Sequence, residues 1–171
     1  MYDVSVRNAS FSDMDSLCEL FCYLFQQQHL GEPQLFRLPI LDDEVERARL
    51  VRYIRSILEQ PEHVLLVAMR ADECIGFAHV VLRSSPESST VPFRHARCEA
   101  WLQHIAVLPE FQGAGVGMSL AKASNHWAKN KGATALGLQV WGFNQKAARF
   151  FEKLGFQMRT TQYVKSFLPM E

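Results

Sequence analysis

An excess of charge of either sign is missing from this sequence: eighteen Lys and Arg balance eighteen Asp and Glu, so the formal net charge at pH 7 is zero. A chain without surplus positive charge has no long-range attraction for a polyphosphate backbone, and nucleic acid is not an expected partner. The four cysteines, Cys18, Cys22, Cys74 and Cys98, form no C-x-x-C pair and no zinc-ligand spacing with the six histidines, so no metal is expected. Cys18 and Cys22 stand four apart on a predicted helix and read as small buried apolar side chains of a reducing compartment. The chain does not open on a basic segment followed by an apolar run, and it lacks any stretch long and apolar enough to span a bilayer. A cytoplasmic protein with no membrane partner is the expectation. Internal repeats and low-complexity segments are also lacking.

What remains is material for one hydrophobic core: 171 residues, 48% of them hydrophobic, make a single domain over 1–171 the expectation. Val4 and Val6 alternate with polar neighbours as an opening strand, and Ser12 or Asp13 is placed to cap the helix that follows, where Met14, Leu17, Cys18, Phe21 and Phe25 recur at helical spacing. Gln26 to Leu41, with Gly31, Pro33 and Pro39, reads as a loop with an apolar tip at Leu35, Phe36 and Leu38. A second amphipathic helix is expected from Asp42 to Glu59, with Val45, Leu50, Ile54 and Leu58 inward. The apolar runs His63 to Met69 and Cys74 to Leu82 predict a hairpin. Arg83 to Arg97, rich in serine, reads as a surface loop.

Beyond that loop the pattern predicts a strand from Glu99 to Val107 and a helix from Val116 to Lys131, with Val116, Leu120, Ala123 and Trp127 on one side. Leu136, Leu138 and Val140 mark a further strand. A short helix from Asn144 to Leu154 and a final strand from Phe156 to about Phe167 complete the order. A terminal edge strand invites pairing with a second copy, so a homodimer is the expected form of any self-association.

The segment that carries chemistry lies between the strand ending near Val107 and the helix starting at Val116. It reads Gln112-Gly113-Ala114-Gly115-Val116-Gly117, and the helix has no side-chain cap. The first N–H groups of such a helix need an outside acceptor, and glycines let a ligand approach the backbone closely. A diphosphate suits that nest best, because the helix start also carries partial positive charge. The segment lacks the Gly-Lys-Ser/Thr ending of a P-loop, and its glycines alternate as G-x-G-x-G rather than G-x-G-x-x-G.

These residues resemble the GNAT superfamily of N-acetyltransferases, whose signature Q/R-x-x-G-x-G/A is matched by Gln112, Gly115 and Gly117. Asn144, Ala147, Phe150, Glu152, Lys153, Leu154, Gly155 and Phe156 resemble the family's C-terminal segment, at the family's usual separation. The resemblance implies an α/β (α+β) fold with a mixed, mostly antiparallel central sheet flanked by helices, in which a splayed parallel strand pair forms the coenzyme A cleft. It further implies that Ile105, Ala106 and Val107 offer backbone groups to the pantetheine arm, that Gln112, Gly113, Ala114, Gly115, Val116 and Gly117 hold the pyrophosphate, and that Met118 and Ser119 add contacts. Asn144 would reach the arm from the other side, and Phe151 would sit beside the cofactor where the family often has a tyrosine general acid. The activity implied is transfer of an acetyl group from acetyl-CoA to a primary amine of a small molecule or peptide; the alternative is a coenzyme A-binding protein with little catalysis.

Acyl transfer to an amine needs removal of a proton from nitrogen, stabilisation of the thioester oxygen as charge develops there, and a proton for the departing thiolate. Where many relatives have an acidic base this strand has Gln103, which accepts no proton, so His104 and Glu99 are the candidates. A backbone N–H at Ile105 or Ala106 would polarise the thioester oxygen. Phe151 has no proton to give, leaving the acid role to water, to the thiol's own low basicity or to Tyr163. For the acceptor, Leu35, Phe36 and Phe93 are candidate pocket residues, and Glu32, Asp42 and Asp43 are candidate attractors of a cationic amine.

Overall fold

The computed structural model describes residues 4–85, 97–165 and 167. Along the chain these form β1 (Ser5–Asn8), α1 (Met14–Gly31), α2 (Glu44–Leu58), β2 (His63–Arg70), β3 (Glu73–Ser85), β4 (Arg97–Val107), α3 (Val116–Asn130), β5 (Ala135–Leu138) and α4 (Gln145–Lys153). The chain divides into two units, Met1–Gln139 and Val140–Glu171.

The first unit holds a five-stranded sheet in the order β1-β2-β3-β4-β5. Its first three pairings are antiparallel, and β4 pairs with β5 in parallel. Because side chains alternate across a strand, Leu65, Val67, Phe77 and Ala106 share one face, where they meet Leu17, Cys18, Phe21, Leu50, Ile54 and Ile57 of α1 and α2. The rings of Phe21 and Phe77 are 4.3 Å apart at their centroids in the middle of this core. Burying each such side chain contributes on the order of 2 kcal/mol. The opposite face receives α3 through Val116, Leu120, Ala121, Ser124 and Ala128. Gly76 is forced by this sandwich: a Cβ there would stand 2.8 Å from the Ala106 carbonyl oxygen and 3.4 Å from Leu120.

Several element edges differ from the sequence pattern, each for a local reason. α1 runs through the Gln26 to Gly31 stretch read as loop, since Gln and Leu propagate a helix well and only Gly31 and Pro33 end it. In α2 the inward stripe is Leu50, Ile54 and Ile57, whereas Val45 is 66% exposed in the first turn. The start of α2 is capped by Asp43, whose carboxylate accepts from the N–H groups of Val45 and Glu46, so this acid is not free to recruit an amine. On α3 the buried stripe is Val116, Leu120, Ser124 and Ala128, one residue round from Trp127. Asp13 does not cap α1 with its side chain; its carboxylate accepts from the backbone N–H of Ser10 and is gripped by the Arg7 guanidinium at 2.9 and 2.7 Å.

In the second unit, α4 begins at the cap Asn144, whose Oδ1 accepts from the Ala147 N–H at 3.0 Å. The expected final strand is not found among the described residues: 156–165 are irregular, and Met158, Tyr163 and Val164 are exposed. Alternating apolar residues make a strand only when a neighbour supplies the hydrogen-bond ladder. The expected loop from Arg83 to Arg97 lies mostly outside the described residues, as does Phe93. All four cysteines are free thiols, with Cys18 and Cys22 buried. No described helix is long and apolar enough to cross a membrane.

Candidate functional site

Pairing between β4 and β5 ends at Leu102 opposite Leu138, so the last five residues of β4, from Gln103 to Val107, continue without a parallel neighbour. The parting coincides with a bulge. His79 of β3 opposes His104, yet Val80 opposes Leu102, which makes Gln103 an extra residue in β4. Beyond the bulge the antiparallel alternation resumes. Leu108 donates to the Ile75 carbonyl, so Ala106 points its own N–H and C=O at Phe77, while the main-chain groups of Ile105 and Val107 face away from β3 into the gap that β5 leaves. Ile105 and Val107 thus present main chain to the splay, and Ala106 presents it to β3.

The strand then enters the glycine turn. Gly113 and Gly115 adopt left-handed backbone angles, φ +85° and +88°, that other residues take up only at a cost. Gly115 is the residue before α3 and brings no side-chain cap. Among the described residues, no acceptor meets the backbone N–H groups of Gly113, Gly115, Val116, Gly117 and Met118; the first amide of the helix with a partner is Ser119, bonded to the Gly115 carbonyl. Ala114 makes only a long bond to Phe111. Five donors on one short turn thus lack a protein acceptor, the arrangement by which helix starts receive anions. The Gln112 side chain braces the turn. Its Nε2 donates to the Val107 carbonyl at 3.0 Å and to the Tyr23 hydroxyl at 3.1 Å, tying the turn to the end of β4 and to α1.

Of the two candidate bases, only His104 stands at the splay. Its ring lies among Phe21, Phe25, Tyr53 and His79, and its Nε2 is 3.0 Å from the Tyr53 hydroxyl. Burial pushes its pKa down to about 4, so the imidazole is neutral at physiological pH and holds an added proton poorly. Glu99 pairs with Ala135, at the far end of the contact between β4 and β5. At roughly 3.3 Å per residue the six positions to Ile105 put it about 20 Å along the strand. The structure does not bring Glu99 to the splay. Gln103 accepts from Arg83 Nη2 at 3.0 Å.

Asn144 and Phe151 belong to the second unit, where the Asn144 oxygen serves as helix cap and the Phe151 ring packs between Phe150 and Phe156. Tyr163 is 92% exposed. Among the acceptor candidates, Leu35 is exposed, and the Phe36 carbonyl meets His29 Nδ1 at 2.6 Å. A shallow depression of about 420 Å³ on α2 carries Arg47, Arg52 and Arg55 against one acid, Glu44, a lining that repels a cationic amine. No group of metal-binding side chains is present among the described residues.

Sequence reasoning passed over Tyr53, His63 and His79, which surround His104. The signal was available: His79 interrupts the apolar run from Cys74 to Leu82, where a polar side chain must be partnered or purposeful.

A parted parallel strand pair, with a donor-rich glycine turn at the end of the longer strand, is the arrangement the sequence motifs implied. The model of the acetyltransferase (GNAT) family matches residues 25–156, more than half of the chain. The chain belongs to the acetyltransferase (GNAT) family. It is 30% identical over 91 residues to an aminoglycoside N(6')-acetyltransferase type 1 of Klebsiella aerogenes, covering 52% of this chain and 55% of that enzyme, so the match spans about half the relative's length. An aminoglycoside N(6')-acetyltransferase type 1 of Stenotrophomonas maltophilia is 30% identical over 138 residues, covering 78% of this chain and 80% of the relative. Among solved structures, a variant of the BH1408 protein of Bacillus halodurans superposes with a TM-score of 0.81 at 19% identity, over 97% of this chain and 99% of that one. That likeness shows the fold.

Proposed function

We propose that this GNAT family member transfers the acetyl group of acetyl-CoA to a primary amine of a small molecule. The observation that carries the reading is the set of five unsatisfied N–H groups, from Gly113 to Met118, at the end of a strand that has lost its parallel neighbour. They would hold the pyrophosphate of coenzyme A, and the main chain of Ile105, with the N–H of Val107, would pair with the amides of the pantetheine arm. An N–H in that stretch, fixed by the β3 ladder before any substrate arrives, would face the charge that develops on the thioester oxygen. Gln112 keeps the turn in register with β4. The bound thioester supplies the activated acetyl group; the chain supplies position, a preset donor and a dry strand face.

The relatives named above, two of which are aminoglycoside N(6')-acetyltransferases by name, support amino sugars as the first acceptors among small amines. A second reading, a coenzyme A-binding protein with little catalysis, is supported by Phe151 and Gln103, which offer no ionisable group where acid and base are often found.

The test is thiol release from acetyl-CoA with kanamycin, spermidine, free lysine and a lysine-containing peptide, with calorimetric titration of coenzyme A alongside. Release with an amino sugar or polyamine is the expected result. Coenzyme A binding without release for any amine would favour the second reading, and absence of coenzyme A binding would remove both.

A further inference from the structure

We propose that Tyr53, His104, His79 and His63 form a proton relay that carries the amine's proton from the splay to solvent at the start of β2. The four side chains come from α2, β4, β3 and β2 and stand in one row. Tyr53 is 38% exposed, and its hydroxyl lies 3.0 Å from His104 Nε2. The His104 and His79 rings are 5.6 Å apart at their centroids and 32° from parallel. His79 Nε2 lies 2.9 Å from His63 Nδ1, and those rings are stacked at 5.1 Å. His79 is 3% exposed, while His63 is half-buried at the first residue of β2, and its Nε2 is not among the sealed nitrogens, which include His79 Nδ1 and His104 Nδ1.

Two atoms in the row have no partner among the described residues: His79 Nδ1 and His104 Nδ1. Both are buried, and such atoms cost free energy unless something meets them. A neutral imidazole has one N–H and one acceptor nitrogen, so the direction of one hydrogen bond sets what the ring's other nitrogen carries. If Tyr53 donates to His104 Nε2, then His104 Nδ1 carries the hydrogen. If His79 Nε2 donates to His63 Nδ1, then His79 Nδ1 is an acceptor. The two orphaned atoms are then complementary, one donor and one acceptor on rings whose centroids are 5.6 Å apart, and a water between them would satisfy both.

Such a row moves a proton without any member keeping it. As the amine forms its bond to the acetyl carbon, its N–H proton passes to the Tyr53 oxygen, the Tyr53 proton to His104 Nε2, the His104 Nδ1 proton through the water to His79 Nδ1, and the His79 Nε2 proton to His63 Nδ1. His63 releases a proton from Nε2 to solvent. Every donor in the row now points back toward Tyr53. When the carbon–sulfur bond breaks and the thiolate needs a proton, the reversed row returns one from solvent by the same steps and resets itself. The sum is one N–H and one C–S bond broken, one C–N and one S–H bond formed. The row thereby supplies both proton transfers in a chain with glutamine at position 103 and phenylalanine at position 151.

The surroundings keep the inner rings uncharged. Phe21 and Phe25 of α1 wall His104, and burial lowers both inner histidines, His79 to about 3, with His104 and His63 adding to the effect on His79. At the outer end His63 faces Glu62, which raises its pKa, and Arg83, which lowers it, with burial the larger cause of a net lowering.

The kinetic part of the test rests on the acetyl-transfer reading; the spectroscopic part does not. Long-range proton–nitrogen correlation spectra of the whole, ligand-free protein at neutral pH should show His104 with its proton on Nδ1 and His79 with its proton on Nε2. The opposite tautomer at either ring would overturn the relay. With acetyl-CoA and kanamycin, His79→Leu, which fills the place with a side chain that neither gives nor takes a proton, should lower kcat by at least about 10-fold at unchanged KM for acetyl-CoA. The dependence of kcat on the deuterium content of the solvent should change from curved, with several protons in flight, to linear. His63→Phe, at the half-buried end of the row, should move both readouts the same way and decides the matter if His79→Leu does not fold. Wild-type kcat and an unchanged solvent dependence in these variants would refute the relay even where acetyl transfer itself is confirmed.

Discussion

Replacing Gly115 by glutamate puts the anion cradle to a quantitative test. Gly115 has φ +88°, and no heavy atom lies within 4 Å of where its Cβ would be. A side chain therefore meets open space but adopts a left-handed backbone, at a cost of roughly 1–2 kcal/mol. Gly115→Ala carries that strain without charge, so the difference between the two variants isolates the carboxylate. A carboxylate about 4 Å from one phosphate charge is repelled by about 4 kcal/mol at the effective dielectric of a protein surface. Halving this for salt screening leaves about 2 kcal/mol, or roughly a 30-fold weaker affinity for coenzyme A in Gly115→Glu than in Gly115→Ala. Calorimetric titration at low and high salt measures both variants, and the gap between them should narrow as salt rises. Thermal unfolding should drop by the same amount in each. Equal affinity in the two variants would show that the phosphates bind elsewhere, and the assignment of the turn would fall with it.

Further expectations concern the scaffold around the site. Asp13 is buried, and its hydrogen bonds from Arg7, with that from the Ser10 backbone, hold its pKa down to about 2. A depressed carboxylate stabilises the fold above its unfolded pKa of about 4, and the gain disappears as pH falls toward 2. Asp13→Asn should therefore lose about 2 kcal/mol in urea unfolding at pH 7, with the difference from wild type vanishing near pH 2; a pH-independent difference would contradict the linkage. Gly76→Ala drives a Cβ to 2.8 Å from the Ala106 carbonyl oxygen, so it should cost about 1–3 kcal/mol and, by displacing the end of β4, raise KM for acetyl-CoA. An unchanged melting temperature would show that β3 and β4 give way freely. Gln112→Ala removes the donor shared by the Val107 carbonyl and Tyr23, and should cost about 1 kcal/mol in stability and loosen coenzyme A binding; Gln112→Glu, which cannot donate, should behave alike. Wild-type affinity in both would release Gln112 from its role in holding the turn.

The sequence by itself determined the parts of this protein that depend on neighbours in the chain. The strand, turn and helix around Gly115 were legible because left-handed angles call for glycine and an uncapped helix start leaves N–H groups to be met from outside. The helical stripe of α1 and the hairpin of β2 and β3 followed from the period of their apolar residues. Tertiary structure decided what depends on partners far along the chain. The bulge at Gln103 decides that Ile105 and Val107, and not Ala106, turn their main chain to the splay, and no local pattern marks an extra residue whose only sign is the register against β3. The end of the β4–β5 ladder removes Glu99 from the splay and leaves His104 beside it. The segment after Phe156 has a strand's pattern without a strand's partner among the described residues. The row from Tyr53 to His63 exists only because α2, β4, β3 and β2 meet on one sheet face, bringing residues 53, 104, 79 and 63 together. Local rules act over one turn or one strand, whereas register and burial are set by the whole fold, and the grouping of Tyr53 with the three histidines belongs to the latter.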